Sequence, residues 1–332
     1  MNLQQRIELF TALGAYLKKE PESWLEAKAR AAAANSWFTP GFIDLAVKNI
    51  IEQYLQEDKL KAWAGAYETM EPVQPRLVGV VMAGNIPMVG FHDLLSVIIS
   101  GHRLMIKPSS RDEMLMRYIV ETLHTMSPSL EKDVQVSDTL KGCDAYIATG
   151  SNQSARYFDY YFARFPHIIR SNKTSVAILT GNETEQELDL LANDVHLFFG
   201  LGCRNVTKIY VPPAYDFIPL LRAFDAYAGL KDMHKYANNY DYQLSLILLN
   251  KQAYMTNGTT LLIEHPALFS AIGVLHYEYY TNRPELLQGL QQNESVQCIV
   301  GEGHIPFGEA QKPGLSNYAD GVDTMRFLAG LS

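Results

Sequence analysis

Short apolar runs that alternate with helical stretches constrain the fold of this chain more than any other feature of its sequence. The runs at 76–83, 103–107 and 145–148 have the length of β-strands, and helical patterns at 90–100 and 112–126 separate them. Strands that are apolar throughout and joined by helices are typical of parallel sheets buried on both faces. The sequence therefore predicts an α/β fold with parallel sheets after about residue 72.

Helices are predicted before the first strand. One apolar stripe has helical spacing near the N-terminus, and a second follows Thr39-Pro40. Thr39 is suited to cap a helix, because its hydroxyl oxygen can accept a backbone N–H of the first turn. Proline follows it, and proline is favoured at the first helical position because its missing N–H would have no partner there. The stripes consist of Leu3, Ile7, Phe10, Leu13 and Leu17, and of Ile43, Val47, Ile50 and Tyr54.

A second block of strands and helices is predicted after residue 172. It opens with a strand at 175–179 and a helix whose capping box pairs Thr184 with Glu187. Further strands are predicted at 207–211, 243–249 and 271–277, and a loop at 301–314. The predicted division is an N-terminal helical segment at 1–72, a first α/β domain at 73–172, a second at 173–305 and a C-terminal segment at 306–332.

Composition and charge exclude several classes of function. Hydrophobic residues make up 47% of the 332 residues and charged residues 19%, which is typical of a folded globular protein. The formal net charge is −8 and no basic block occurs, so no nucleic-acid partner is expected. No run of 18 apolar residues and no signal peptide is visible, and the three cysteines are few and odd in number. We expect a cytoplasmic protein without membrane insertion.

The three predicted strands of the first domain end in polar turns. Asn85 follows the first strand, Lys107 ends the second, and Gly150-Ser151 follows the third. The carboxyl ends of parallel strands lie at one edge of a sheet, so these turns are expected to converge on a ligand site. Each turn also has an ordinary interpretation: Asn85 as a turn residue, Lys107 as a solvated lysine, and Gly150-Ser151 as a helix start without the GxGxxG spacing.

Cys203 is the candidate nucleophile. It is predicted at the end of a helix and just before the strand at 207–211, where a thiol can be partly exposed. His92 and His196 lie in predicted helical stretches, and His92 is the better candidate for an assisting group. No HExxH or CxxC motif is present, so no metal site is expected.

Taken in chain order, these turns resemble the motifs of the aldehyde dehydrogenase superfamily. More closely, the chain from about residue 35 onward resembles the acyl-CoA reductase family that is related to the reductase of bacterial bioluminescence. The superfamily motifs are Gly84-Asn85-Ile86-Pro87, Lys107-Pro108-Ser109, Thr149-Gly150-Ser151, Cys203 and Pro306-Phe307-Gly308. The closer ones are Trp37-Phe38-Thr39, the stretch 84–93, Ser100-Gly101-His102 and the stretch 236–242.

The resemblance implies two α/β domains, of which 73–172 binds a nicotinamide cofactor and 173–305 carries the nucleophile. It implies that Cys203 accepts the acyl group and that Asn85 donates to the oxyanion. It also implies that Lys107 contacts the cofactor ribose and that Gly150 and Ser151 lie near the pyrophosphate. The turn continues through Ser109, Ser110 and Arg111; without the acidic residue that would repel a 2′-phosphate, it favours NADPH over NADH. Relatives are oligomeric, which implies a homo-oligomer, expected to be a dimer.

Carboxylates that aldehyde-oxidising relatives use are missing. The stretch 167–173, where a water-activating glutamate would lie, contains none, and neither does 268–271. A reductase requires an acyl-enzyme protected from water, so we expect reduction of an acyl-CoA or acyl-carrier-protein thioester to an aldehyde. An acyl-phosphate reductase is one alternative. Another is a non-catalytic binding or scaffold protein, because Leu201 and Arg204 depart from the usual cysteine motif.

Overall fold

The computed structural model describes residues 1–67 and 71–331 and divides the chain into two compact units. Unit 1 comprises Met1–Asn172 together with Pro313–Ser332, and unit 2 comprises Lys173–Lys312. Residues 68–70 of the predicted N-terminal segment lie outside the described residues. Each unit has its own sheet and its own apolar core.

Unit 1 begins with four helices that pack against one another and against two helices of the parallel βαβ sheet. Thr39 accepts a hydrogen bond from the Phe42 N–H and Pro40 is the first residue of its helix, so the predicted cap is confirmed. The helices of this part are α1 (Leu3–Lys18), α2 (Glu22–Ala34), α3 (Pro40–Tyr54) and α4 (Glu57–Ala64). Their apolar stripes join the core cluster of the sheet through Phe10, Leu13 and Ile43, which are fully buried.

The unit 1 sheet follows the predicted βαβ pattern. Its elements are β1 (Leu77–Val81), α5 (Phe91–Ile99), β2 (Arg103–Lys107), α6 (Glu113–Met126), β3 (Val134–Val136), β4 (Ala145–Thr149), α7 (Asn152–Phe162) and β5 (His167–Arg170), with a 3₁₀ turn at Pro128–Lys132. All pairings are parallel, in the order β3-β2-β1-β4-β5. Strand β1 therefore lies between β2 and β4, and Val78 pairs with Leu104 on one side and Ala145 on the other.

Unit 2 is a second, mostly parallel sheet with helices. Its elements are β6 (Thr174–Ile178), α8 (Glu185–His196), β7 (Val206–Val211), α9 (Ile218–Ala223), α10 (His234–Leu249), β8 (Met255–Thr256), β9 (Leu261–Glu264), β10 (Val274–Tyr279), α11 (Arg283–Gln291) and β11 (Val296–Val300), with 3₁₀ segments at Leu197–Gly200 and Phe224–Asp232. The strand order is β11-β6-β7-β10-β9-β8, and only β8 is antiparallel to its neighbour. The predicted capping box of Thr184 with Glu187 opens α8.

Two sequence predictions for unit 2 are wrong. Residues 243–249 form the last turns of α10, not a strand. An apolar run of this length occurs in helices as well as strands, and no glycine or proline interrupts the helix that begins at His234. Cys203 does not end a helix either, because α8 ends at His196 and a 3₁₀ segment and a turn follow.

The C-terminal residues return to unit 1. They include a 3₁₀ turn at Ala319–Gly321 and helix α12 (Thr324–Ala329). The Tyr318 hydroxyl accepts a hydrogen bond from Trp63 Nε1 at 2.7 Å and contacts the Tyr67 hydroxyl at 2.6 Å. The helical N-terminus of unit 1 is thus bonded to a segment that lies at the other end of the sequence.

Candidate active site

Three of the predicted site turns lie at one edge of the unit 1 sheet. Asn85 follows β1, Lys107 ends β2, and Gly150 follows β4, and these strands are immediate neighbours. The chain order reverses between β1 and β4, because β2 and β3 are added on one side of β1 and β4 and β5 on the other. Ligands of open parallel sheets bind at the carboxyl ends of the strands beside such a reversal.

The loop that carries Asn85 is in close contact with the turn after β2. A Cβ atom on Gly84 would lie 2.5 Å from the Ser109 hydroxyl oxygen, so only glycine allows this approach. Further along the loop, Met88 has a φ of 56°, a conformation uncommon for residues other than glycine. Its backbone N–H donates to Asp112 Oδ2 at 2.8 Å. Asn85 itself is half-buried within this constrained loop.

The predicted cofactor residues are accessible. Lys107, Ser110 and Arg111 are exposed, and Ser109 is half-buried and accepts a hydrogen bond from the Arg111 N–H at 3.3 Å. Ser151 caps α7 by accepting a bond from the Ser154 N–H at 3.2 Å. The edge therefore offers a cation, hydroxyl groups and the start of an eleven-residue helix, a combination suited to an anionic dinucleotide.

His92 lies among aromatic rings of unit 1. Its ring is within 5.1 to 5.7 Å of the rings of Tyr54, Trp63 and Tyr318, and its Nε2 is 2.9 Å from the Leu315 carbonyl oxygen. Through these contacts, His92 packs among the aromatic side chains of unit 1 and helps to hold the C-terminal segment in place. An assisting role of His92 in catalysis stays a prediction.

Cys203 lies in unit 2, in a turn that a buried asparagine anchors. The Asn205 side chain accepts a hydrogen bond from the Gly202 N–H at 2.8 Å. Its amide group donates to the carbonyl oxygens of Asp194 at 3.0 Å and Leu197 at 2.9 Å. Asn205 is fully buried, whereas Cys203 is only half-buried. The turn is thus fixed from inside while the residue that carries the thiol keeps partial access to solvent.

A second thiol and a hydroxyl lie behind this turn. Ser175 Oγ donates to the Cys203 carbonyl oxygen at 3.1 Å and lies 2.9 Å from Cys298 Sγ. Burial raises the pKa of the Cys298 thiol, and the charge of Arg204 opposes that shift. Arg204, which departs from the usual cysteine motif, therefore interacts with Cys298. A thiol with a raised pKa is a poor nucleophile at neutral pH, so Cys298 is poorly suited to be the reacting cysteine.

The backbone between α8 and the cysteine turn is strained. Phe198 and Phe199 have φ values of 54° and 58°, and Gly200 follows at 73°. For residues other than glycine this conformation costs about 1–2 kcal/mol each. Strain of this kind is concentrated at functional sites. A cavity of about 30 Å³ lies beside the segment, which is enough space for water.

The buried Asp194 ties the segment around Gly308 to α8. Its carboxylate accepts bonds from the backbone N–H groups of Gly308 at 2.7 Å and Ala310 at 3.1 Å. Burial raises the pKa of Asp194 to about 6 despite these bonds. Gly308 has a φ of 80°, and a Cβ atom there would lie 2.8 Å from Leu190 Cδ2. The segment that resembles a superfamily motif is therefore fixed to the same helix end as the cysteine turn.

The stretch that lacks a carboxylate in the sequence lies in and just after a strand of unit 1. The stretch at 167–173 is mostly β5, whose Arg170 forms a buried ion pair of 2.6 Å with Asp93.

Within residues 1–67 and 71–331, no cluster of three or more His, Cys, Asp or Glu side chains could hold a metal ion. None of the described helices is long and apolar enough to cross a membrane.

Three buried side chains that hold these turns were not predicted from the sequence: Asn205, Asp194 and Asp112. Asn205 lies two positions after Cys203, and its polar side chain directly before an apolar strand was a usable signal. Nothing local marks Asp112 or Asp194, since each bonds to backbone that is distant in sequence.

Comparison with known proteins supports the same fold and a specific family. Residues 16–216 match the family described as acyl-CoA reductase (LuxC). No curated protein matches the sequence.

Solved structures of aldehyde dehydrogenases share the fold at low sequence identity. One from Physcomitrella patens, in complex with the reaction product succinate, is 14% identical and has a TM-score of 0.67, over 91% of this chain and 74% of that chain. One from Bacillus cereus in complex with NAD⁺ is 12% identical with a TM-score of 0.64, over 90% and 72%. One from Mycobacterium tuberculosis, also complexed with NAD⁺, is 13% identical with a TM-score of 0.63, over 87% and 70%. The chain has an aldehyde dehydrogenase-like fold, as the sequence predicted.

Proposed function

The chain belongs to the acyl-CoA reductase (LuxC) family, and from this premise we propose that it reduces an acyl thioester to an aldehyde through an acyl group held on Cys203. The proposed substrate is a fatty acyl-CoA or an acyl-carrier protein. One observation carries the proposal: Cys203 is partly exposed on a turn anchored by Asn205, within the part of the chain that matches the family.

The first chemical step is transfer of the acyl group. The Cys203 thiolate attacks the thioester carbonyl carbon, the bond to the CoA sulfur breaks, and CoA leaves as its thiol after taking a proton. Negative charge develops on the carbonyl oxygen, and we assign the Asn85 side-chain amide and the Cys203 N–H as its donors. One thioester replaces another, so the energetic demand is for positioning and charge stabilisation.

The residues at the edge of the unit 1 sheet fit a nicotinamide dinucleotide. Lys107 and Ser109 would contact its ribose, and Gly150 and Ser151 would lie near its pyrophosphate. Two of the similar structures named above were solved with NAD⁺. When bound in reduced form, such a cofactor supplies the hydride that converts the acyl group into an aldehyde. Ser110 and Arg111 carry no negative charge, and we propose that the turn accepts the 2′-phosphate of NADPH.

The lack of a carboxylate at 167–173 supports reduction over hydrolysis. Hydrolysis of the acyl-enzyme needs a base that activates water. The stretch holds no carboxylate for that role, and its cation Arg170 is buried and paired with Asp93. An acyl group on Cys203 would then be retained until it is reduced.

Intact-protein mass spectrometry tests the proposal. The protein is incubated without nicotinamide and with acetyl-, octanoyl- or palmitoyl-CoA, as wild type and as Cys203→Ala, with Cys298→Ala as the matched cysteine control. We expect a gain of one acyl group in the wild type and in Cys298→Ala, and none in Cys203→Ala. An adduct that persists in Cys203→Ala would refute the assignment of the nucleophile.

The leaving group separates the alternatives. Release of free CoA with acylation supports the thioester substrate. Labelling by acetyl phosphate but by no acyl-CoA would instead indicate an acyl-phosphate reductase. No adduct from either donor, together with no nicotinamide binding, would indicate a protein that has kept the fold without the chemistry.

A further inference from the structure

The buried side chain of Asp112 bonds to the loop that carries Asn85. This residue precedes α6 and is 2% exposed. Its backbone is held on both sides, because its N–H donates to the Ser109 carbonyl oxygen at 2.9 Å and its carbonyl oxygen accepts from the Met116 N–H at 3.3 Å. The backbone that carries this carboxyl group is therefore fixed. Its Oδ2 accepts a hydrogen bond from the Met88 N–H at 2.8 Å.

The other carboxyl oxygen has no hydrogen-bond partner. Oδ1 of Asp112 is buried, and no donor or acceptor among the described residues bonds to it. An ionised carboxylate in this position would be a buried charge with a single neutral hydrogen bond, which is costly. No cation pairs with it in the described ion pairs, in contrast to the buried Asp93, which is paired with Arg170.

We propose that Asp112 is a positioning residue for acyl transfer, which acts by fixing through the Met88 N–H the loop that presents Asn85. It does so as a neutral carboxylic acid. Burial raises its pKa well above the usual carboxyl range, in agreement with this arrangement. The inference rests on the proposed function, since it gives Asn85 a role in charge stabilisation.

Met88 explains why the loop needs an anchor. Its left-handed backbone is uncommon for a residue with a large side chain, and its side chain is buried in the unit 1 core at 2% exposure. Its carbonyl oxygen accepts the N–H of Phe91, the first residue of α5. Without the bond to Asp112, Met88 is expected to relax toward a commoner conformation, and Asn85, three residues earlier, would move with it.

A matched pair of substitutions separates a neutral anchor from a charge. Asp112→Asn keeps an acceptor for the Met88 N–H and places an amide where the other oxygen lies, so we expect Cys203 acylation by octanoyl-CoA within about threefold of wild type. Asp112→Ala removes the acceptor, and we expect a rate loss of up to about 100-fold, the scale of a displacement of about 1 Å. Equal losses of acylation rate in both variants would overturn the proposal that Asp112 holds the loop as a neutral acid.

The double variant tests whether Asp112 acts through Asn85. If it does, Asp112→Ala added to Asn85→Ala lowers the acylation rate no further, because the oxyanion donor is already gone. Full additivity of the two losses would overturn the proposal. Leu123→Ala, which removes a fully buried side chain of the same helix, controls for loss of stability and is expected to leave the rate of the folded protein unchanged.

Hydrogen exchange gives a readout that does not depend on catalysis. Exchange in the segment 84–90 should rise in Asp112→Ala and stay near wild type in Asp112→Asn and Leu123→Ala. Unchanged exchange in Asp112→Ala would overturn the anchoring role even if activity falls. If the wild type accepts no acyl group at all, the proposed function fails and the positioning role with it, while the exchange result still decides whether Asp112 holds the loop.

Discussion

The side-chain oxygen of Asn205 accepts a hydrogen bond from the backbone N–H of Gly202 at 2.8 Å and so closes the turn around Cys203 from its buried side. The amide of the same side chain bonds to carbonyl oxygens at the end of α8 and just beyond it. One side chain, two positions after the thiol, thus bonds to backbone groups of residues that precede Cys203. The geometry of the candidate nucleophile depends on this fully buried side chain.

Asn205→Ala should therefore lower both stability and acylation. Several buried backbone groups lose their partner, which is expected to cost about 2–3 kcal/mol in the free energy of unfolding. The turn is free to shift, so the rate of Cys203 acylation is expected to fall by about 10- to 100-fold. Urea unfolding and stopped-flow acylation measure the two effects. Asn182→Ala, at an exposed site of unit 2, is the control, and a wild-type rate in Asn205→Ala would contradict the role of the turn.

Asn85→Ala should slow acyl transfer without abolishing it. Loss of one oxyanion donor typically lowers a rate by about 100- to 1000-fold. The nucleophile remains, so prolonged incubation should still give one acyl group per chain in the mass spectrum. Asn2→Ala, which removes an exposed helix cap of unit 1, is the matched asparagine control. A near-normal acylation rate in Asn85→Ala would show that the role assigned to this side chain is wrong.

Ser110→Glu should weaken binding of NADPH more than binding of NADH. A carboxylate on this exposed turn would repel the 2′-phosphate that only NADPH carries, with an effect of about tenfold on the ratio of dissociation constants at low salt. Added salt should reduce the effect because the site is open to water. Ser129→Glu, also exposed in unit 1, makes the same change in net charge elsewhere. If both variants bind the two cofactors alike, the turn does not select the phosphate.

The buried His196 should make unit 2 sensitive to acid. Its ring bonds to the Ala192 carbonyl oxygen at 2.8 Å and to the Thr260 hydroxyl at 2.7 Å, and burial lowers its pKa to about 4. The unfolded chain takes up a proton near the ordinary histidine pKa of about 6.5. The stability linked to His196 is therefore complete above about pH 6.5 and is lost as the pH falls toward 4.

The comparison with His196→Gln isolates this effect. The free energy of unfolding of the wild type should fall relative to that of the variant by about 3 kcal/mol between pH 6.5 and pH 4. Subtracting the free energies of unfolding of the two proteins removes the contributions of other titrating groups. Asp194 is one such group, because its raised pKa makes its own contribution to stability increase as the pH falls. Circular dichroism is the suitable probe, because all three tryptophans belong to unit 1. A constant difference across this pH range would contradict the prediction.

Local patterns were sufficient where a strand is apolar and bounded by polar turns. Strand β2 has the predicted bounds and β1 differs by one residue at its start and two at its end. The pattern misled at 243–249, because a short apolar run has the same composition in either structure. Strands β3 and β5 were not predicted, since they have only three and four residues. Such strands owe their structure to pairing with a neighbour more than to their own residues.

The fold class, the order of β1, β2 and β4 with α5 and α6 between them, and the motifs that place Asn85 after β1 and Lys107 at the end of β2 were determined by the sequence itself, because apolar periodicity and turn residues act within a few positions. Only the tertiary structure decided which buried polar groups bond to one another. Asp112 bonds to backbone 24 positions away, and Asp194 to backbone 114 positions away. Tertiary structure also decided that residues 313–332 return to unit 1. A buried polar group must find a partner wherever the folded chain brings one, and no local pattern specifies that position.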